Sequence, residues 1–302
     1  MRTLSIDIGT NSTLYLIAEI EDGNLQVVER GISGNRLGAD KREDGSLSSD
    51  LIEDNRQILL KILRHGEDLG CDAVKAVGTH ALRTAANADA FMAMTNSIGL
   101  NFQIIDGEHE AALAWRGVVG KTPPLQQTAI LDIGGGSSEL IVGLGSEIEF
   151  SSSIPIGAVT VSKWFSSDPI PENEILQAQK ILRELLTPWK NRTFSDCHLI
   201  GIAGTCTSLV SVAQRIIDYY PGVIEGRRFP KSWLRTWKNR LVKMPLEQRL
   251  TLPGMPPARA GILPAGALIL DVALSVLGKQ KLFVSEKGLI FGLAYQMAAE
   301  RL

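Results

Sequence analysis

Two stretches of the chain end an apolar run in an aspartate and follow it at once with glycine and other small residues: LSIDIGTNST at 4–13 and TAILDIGGGSSEL at 128–140. In the first, Gly9, Thr10, Asn11 and Ser12 leave backbone N–H groups unshielded at a turn; Gly134, Gly135, Gly136 and Ser137 do the same in the second. A concave run of such donors attracts anions, phosphate above all. Asp7 and Asp132 place hard carboxylate oxygens beside that position, and a carboxylate repels phosphate unless a cation stands between them. Mg2+ held by Asp7 and Asp132, directly or through water, is therefore expected, with Glu139 just past the second turn holding a metal-bound water. A third turn, IGIAGTCTS at 200–208, follows a short strand and opens a helix, so Gly204 and Thr205 are expected to meet an anion at a helix N-terminus. Cys206 reads as a small residue in a close turn rather than as a nucleophile.

The elements that must position these turns are legible from hydrophobic spacing. Residues 3–8 predict a buried strand, 13–20 a second and 25–29 a third, joined as a meander through Glu21-Asp22-Gly23. Apolar residues at helical spacing predict a helix over 48–69 capped by Ser48 or Ser49. A strand at 73–77, a helix entered through Gly78-Thr79-His80, a strand at 102–105 and a helix from about Glu108 complete an alternating α/β lobe. After Gly120-Lys121-Thr122-Pro123-Pro124 the pattern restarts, with Asp7, Gly9 and Ser12 recurring as Asp132, Gly134 and Ser137, each 125 positions later. A duplicated strand–hairpin–strand unit is far stronger evidence than either turn alone. A dinucleotide fold is disfavoured, because DIGGGSS lacks the G-x-G-x-x-G spacing and a hairpin follows it.

Bulk properties exclude several classes. At about 150 residues per domain, 302 residues suggest two domains. With 31 Lys plus Arg against 33 Asp plus Glu, the chain lacks the cationic surplus of a duplex nucleic-acid binder. Three scattered cysteines without a C-x-x-C pair indicate neither disulfides nor structural zinc, and a reducing compartment, the cytoplasm, is expected. An aspartate at position 7 argues against a secretory signal. The most membrane-like stretch, 261–278, carries Pro264 and Asp271 and predicts a buried helix, with no membrane span.

Taken together the motifs resemble the exopolyphosphatase and guanosine pentaphosphate phosphohydrolase (Ppx/GppA) family of the actin and hexokinase superfamily. The likeness runs through DIGTNS (7–12), NRLG (35–38), GTHALR (78–83), DGEHEAAL (106–113), DIGGGSSEL (132–140), IPIGAV (154–159), GIAGTCTSL (201–209), ARAGILPAGALIL (258–270) and VSEKGL (284–289). It implies two actin-like, ribonuclease H-like α/β lobes with a cleft between them, at 1–123 and 124–302, the last helix able to pack back on the first lobe. The two facing turns would clamp a phosphate chain. It also implies the short two-domain form without the C-terminal region of larger members. The family's catalytic base, the second Glu of a G-x-E-E-A segment, maps to Glu110. His109 stands where the family has the first Glu, Ala112 where it has Arg, and Ile290-Phe291-Gly292 where it has R-E-G.

The expected reaction is therefore hydrolysis of the terminal phosphate of inorganic polyphosphate by a Glu110-activated water with Mg2+. Guanosine pentaphosphate is the rival substrate, a non-catalytic nucleotide or polyphosphate sensor is the rival of another class, and a homodimer stays open. A superfamily kinase is disfavoured, since a kinase shields its phosphate from water. Residues 227–243 carry seven cations and no acid; on a helix Arg228, Lys231, Arg235 and Lys238 would share a face able, with Arg83, to guide a polyanion. Trp233 and Trp237 are expected to be core contacts.

Overall fold

The computed structural model of the protein describes residues 1–121, 124–190, 197–218 and 222–300. Its contacts divide the chain into two units, Met1–Pro123 with Lys287–Leu302, and Pro124–Glu286. The second unit thus ends at Glu286 rather than at the chain end, and Thr122 and Pro123 of the expected link lie outside the described residues.

In the first unit β1 (Arg2–Ile8), β2 (Ser12–Glu21) and β3 (Asn24–Gly34) form the expected antiparallel meander. Its tight hairpin uses Asp22 and Gly23, both at positive φ (49° and 74°), the backbone twist that matches flanking strands and that Asp-Gly adopts at low cost. Helix α1 (Ser49–Asp68) starts where Ser48 Oγ accepts the Leu51 N–H at 3.1 Å. It buries Leu51, Leu59 and Ile62 with Leu4, Ile6 and Ile8 of β1. β4 (Ala73–Gly78), α2 (His80–Arg83), α3 (Ala88–Ser97), β5 (Phe102–Ile104) and α4 (Gly107–Val119) follow. The single helix expected after Gly78 is broken in two. Asn87 pairs with the Leu47 main chain in both directions, 2.8 and 3.0 Å, and the chain must leave helix to reach it.

The second unit repeats the plan with β6 (Thr128–Ile133), β7 (Ser138–Leu144) and β8 (Glu147–Ile154), then α5 (Ala158–Ser162), α6 (Glu172–Leu185) and α7 (Thr187–Lys190). β9 (His198–Ile202), α8 (Ala203–Gln214), β10 (Arg227–Pro230), α9 (Lys231–Lys243), α10 (Leu246–Leu250), α11 (Leu263–Val276) and β11 (Lys281–Val284) complete it. The sheets run β3-β2-β1-β4-β5 and β10-β11-β9-β6-β7-β8. Reading the second from β8 gives the same sequence of pairings: two antiparallel, then two parallel, with β10 an added antiparallel edge. The duplication seen as three strands in the sequence therefore spans five. α11 is the buried helix expected from 261–278, and no helix among the described residues is long and apolar enough to cross a membrane.

The final helix, α12 (Leu289–Ala299), packs in the first unit against α4 and β1. Two glycines set how closely: a Cβ on Gly117 would lie 1.9 Å from the Gly288 carbonyl oxygen, and one on Gly292 1.9 Å from that of Leu113. Gly292→Ala must push the helices apart and is expected to cost about 1–3 kcal/mol or more, measured as a lowered denaturant midpoint. Gly34→Ala, which meets open space, should stay within about 0.5 kcal/mol of wild type. Equal midpoints for the two variants would show that glycine contact does not set the crossing.

Candidate active site

In an open α/β sheet, ligands bind beyond the carboxyl ends of the parallel strands. In the first unit those ends carry Asp7 on β1, Thr79 and α2 after β4, and Ile105 and α4 after β5. The turn after Asp7 closes with Gly9 N–H donating to Ser12 O at 3.0 Å. A strap at 35–38 holds it from outside: Asn35 Nδ2 donates to Gly9 O at 2.8 Å and Gly38 N–H to Thr10 O at 2.7 Å. Its carbonyls are thus taken up within the protein, while the N–H of Thr10 reaches no protein acceptor among the described residues.

The second turn has the same build. Gly134 N–H donates to Ser137 O, again at 3.0 Å, and the strap is 157–159, with Ala158 N–H on Gly134 O at 2.9 Å and Val159 N–H on Gly135 O at 2.8 Å. The strap crosses so closely that a Cβ on Gly157 would sit 2.4 Å from the Gly135 carbonyl. The N–H groups of Gly135 and Gly136 reach no protein acceptor among the described residues. Asp132 lies directly opposite Glu139 across the β6–β7 ladder, whereas Asp7 faces Leu14. Like charges directly opposite on neighbouring strands destabilise a sheet, and a hard divalent cation relieves the conflict. Glu139 is buried and its Oε1 accepts from Ser153 Oγ at 2.8 Å. No group of three His, Cys, Asp or Glu side chains among the described residues could hold a metal.

The third turn opens α8 as expected. Thr205 Oγ1 is buried there and bonds no protein group among the described residues. Sequence reasoning missed Arg259, whose guanidinium would lie 2.2 Å from a Cβ on Gly204. It is 8% exposed. A guanidinium beside the N-terminus of α8, where the helix dipole also favours negative charge, makes a setting that suits phosphate. The available signal was composition: Arg259 and Asp271 are the only charged residues between Arg249 and Lys279. Cys206 is 1% exposed, and burial, with the Asp132 charge behind it, pushes its thiol well above the usual range.

Glu110 sits in the first turn of α4, whose N-terminus is capped by Asp106 Oδ1 accepting the His109 N–H at 2.8 Å. Burial pushes its carboxyl above the usual carboxylate range, and Arg83 pulls it partly back. Arg83 Nη1 donates to Glu110 Oε2 at 2.7 Å and to Ile105 O at 2.9 Å. Beside it His80 is pushed down to about 4, by burial first and then by Arg83 and Lys41, and is neutral at physiological pH.

Comparison with known proteins shows the family. Residues 16–301 match the Ppx/GppA phosphatase family. The chain belongs to that family. It is thereby a phosphoanhydride hydrolase with two actin-like α/β units. The chain is 32% identical to Exopolyphosphatase 2 of Mycobacterium tuberculosis over 98% of each sequence. The crystal structure of the Aquifex aeolicus family member is similar with a TM-score of 0.85 and 29% identity, over 100% of this chain and 98% of that one. An exopolyphosphatase from Cytophaga hutchinsonii shares the fold, with a TM-score of 0.89 at 23% identity over 99% and 98% of the two chains.

The departures of this Ppx/GppA chain from the family pattern fall in two settings. Ile290 and Phe291 are buried in the α12 core with Leu113, so apolar side chains there serve packing. Ala112 is exposed on α4. The four cations expected on one helical face do not share one. Arg228 lies on strand β10, and helix begins only at Lys231. Lys238 is buried and pairs with Asp271 at 3.3 Å, and Arg235 reaches the same carboxylate at 3.4 Å. An aspartate inside apolar α11 demands such partners, so Lys238 is structural and not part of a polyanion track. Arg83 lies apart from these residues, its Nη1 bonded to Glu110 and Ile105 in the first unit. Trp233 and Trp237 pack against the core as expected.

A thiol so placed should be inert. Iodoacetamide is expected to leave Cys206 unmodified in the folded protein, and Cys206→Ala should keep phosphate release within about threefold of wild type, within the range of a change without a catalytic role. Loss of activity on selective alkylation of Cys206 would contradict this.

Proposed function

We propose that the protein is an exopolyphosphatase that releases terminal phosphate from inorganic polyphosphate, with Glu110 as the general base. The observation that carries this reading is the Glu110 carboxylate itself. It is 13% exposed and held at one oxygen by Arg83, at the helix start that follows the carboxyl end of β5. Phosphoryl transfer to water asks a protein to position the terminal phosphate, offset its charge and take a proton from the attacking water. The first unit carries Glu110 and the turn at Gly9–Ser12; the second carries the turn at Gly134–Ser137 with Gly204, Thr205 and Arg259. Asp132 and Glu139, opposite each other on β6 and β7, would hold a divalent cation in the second unit, with Asp7 the corresponding carboxylate of the first; hard oxygen donors favour Mg2+, and the cation when bound would neutralise phosphate oxygens. The name of the Mycobacterium relative supports polyphosphate as the substrate. Three free cysteines suit a reducing compartment, the cytoplasm.

Glu110→Gln is expected to lower turnover roughly 10²- to 10⁴-fold with little change in KM. Phosphate release should be assayed in parallel on polyphosphate, guanosine pentaphosphate and ATP with Mg2+. Greater release from guanosine pentaphosphate would reverse the substrate assignment, and half or more of wild-type activity in Glu110→Gln would remove the base. Because the base works ionised and burial raises its proton affinity, kcat/KM should rise with pH through an acid limb above the ordinary Glu value of about 4.3. Excess EDTA should abolish activity, and full activity in EDTA would take the metal out of the scheme.

A further inference from the structure

Arg83 is half-hidden and makes two hydrogen bonds through one nitrogen, to the carbonyl of Ile105 and to Glu110 Oε2. Among the described residues no other side chain bonds Glu110, and its Oε1 carries no hydrogen bond. The two carboxylate oxygens are therefore unequal. One is fixed to a guanidinium that is itself anchored to the end of β5, and the other is available. We propose that Arg83 is a positioning residue that locks the Glu110 carboxylate in one orientation, leaving Oε1 as the atom that takes the proton from water. The inference rests on the reading of Glu110 as the base.

The step then balances simply. The water oxygen bonds the terminal phosphorus, one water proton passes to Oε1, and the bridging oxygen leaves with the electron pair of the broken P–O bond on the shortened chain. Arg83 touches neither water nor phosphate in this scheme. It restricts the carboxylate to one rotamer, which otherwise has two equivalent oxygens and a free terminal torsion. It also keeps a carboxylate in apolar surroundings ionised, since an opposite charge within hydrogen-bond distance favours the charged form. A guanidinium suits the task because its planar fork stays charged and can serve two acceptors in fixed directions, whereas an ammonium is a point donor on a flexible stem.

The test compares Arg83→Met and Arg83→Lys, each alone and in the Glu110→Gln background, with pH profiles and thermal melts. In Arg83→Met the acid limb of kcat/KM should move up by about 1–3 pH units and kcat should fall with KM little changed. Arg83→Lys should return the limb to within about half a pH unit of wild type while kcat stays reduced, the charge restored without the two-way hold. In the Glu110→Gln background Arg83→Met should change kcat by less than about twofold, because a residue acting only through Glu110 has nothing left to position. A raised KM with unchanged kcat would instead mean that Arg83 binds the phosphate chain, and would overturn the proposal. So would an unmoved acid limb in both variants, or a further tenfold loss on top of Glu110→Gln. Should Arg83→Met fail to fold, the split between kcat and KM in Arg83→Lys decides. An active Glu110→Gln would defeat the base assignment itself, whereas an inactive one with these Arg83 outcomes reversed would defeat this inference alone.

Discussion

Main-chain N–H groups can hold phosphate only where nothing bulkier than main chain stands over them, and both units are shaped by that exclusion. Each Asp-x-Gly turn closes on itself with the same 3.0 Å bond, Gly9 to Ser12 and Gly134 to Ser137. A strap then takes the turn's carbonyls from behind. Once the carbonyls are satisfied, the remaining polar groups of the turn are donors, and a cluster of donors is an anion site. The cost falls on the neighbours. Gly157 has no room for a Cβ against Gly135, and Gly204 none against the Arg259 guanidinium. The glycines thus mark where backbone or a buried guanidinium comes closest to these turns.

The two units share this device but differ in charge. Position 139 is a glutamate opposite Asp132, while its counterpart 125 residues earlier is Leu14 opposite Asp7. Two carboxylates facing across one ladder favour a cation far more than a carboxylate facing leucine. The first unit instead carries Glu110, the base of the proposed reaction, held by Arg83 at the end of β5. The two units thus share one turn geometry, and in the proposed function a few differing side chains suit one to a metal and the other to proton transfer.

Much of this was legible in the chain. The meanders, α1 with its Ser48 cap, the duplicated turns and the burial of 261–278 all follow from local periodicity and turn chemistry, which are read along the sequence. What was not legible depends on pairs distant in sequence. Lys238 and Arg235 look like a guiding stripe until Asp271 of α11 is placed beside them. The helix after Gly78 looks continuous until Asn87 finds Leu47, forty residues away. Arg83 looks like a surface cation until Glu110 takes it. In each case a polar side chain's role was decided by the partner that burial forces on it. Arg259 was hidden for the opposite reason, being a single charge in an apolar stretch with no spacing to expose it.

In the proposed reaction water, deprotonated by the protein, attacks the terminal phosphorus of a phosphate chain. Carrying out the reaction on polyphosphate in 18O-labelled water and analysing both products by mass spectrometry tests it directly. Attack at the terminal phosphorus places one labelled oxygen in the released phosphate and none in the shortened chain. Label in the chain, or phosphate release that requires an added acceptor and leaves the free phosphate unlabelled, would rule out attack by water at the terminal phosphorus.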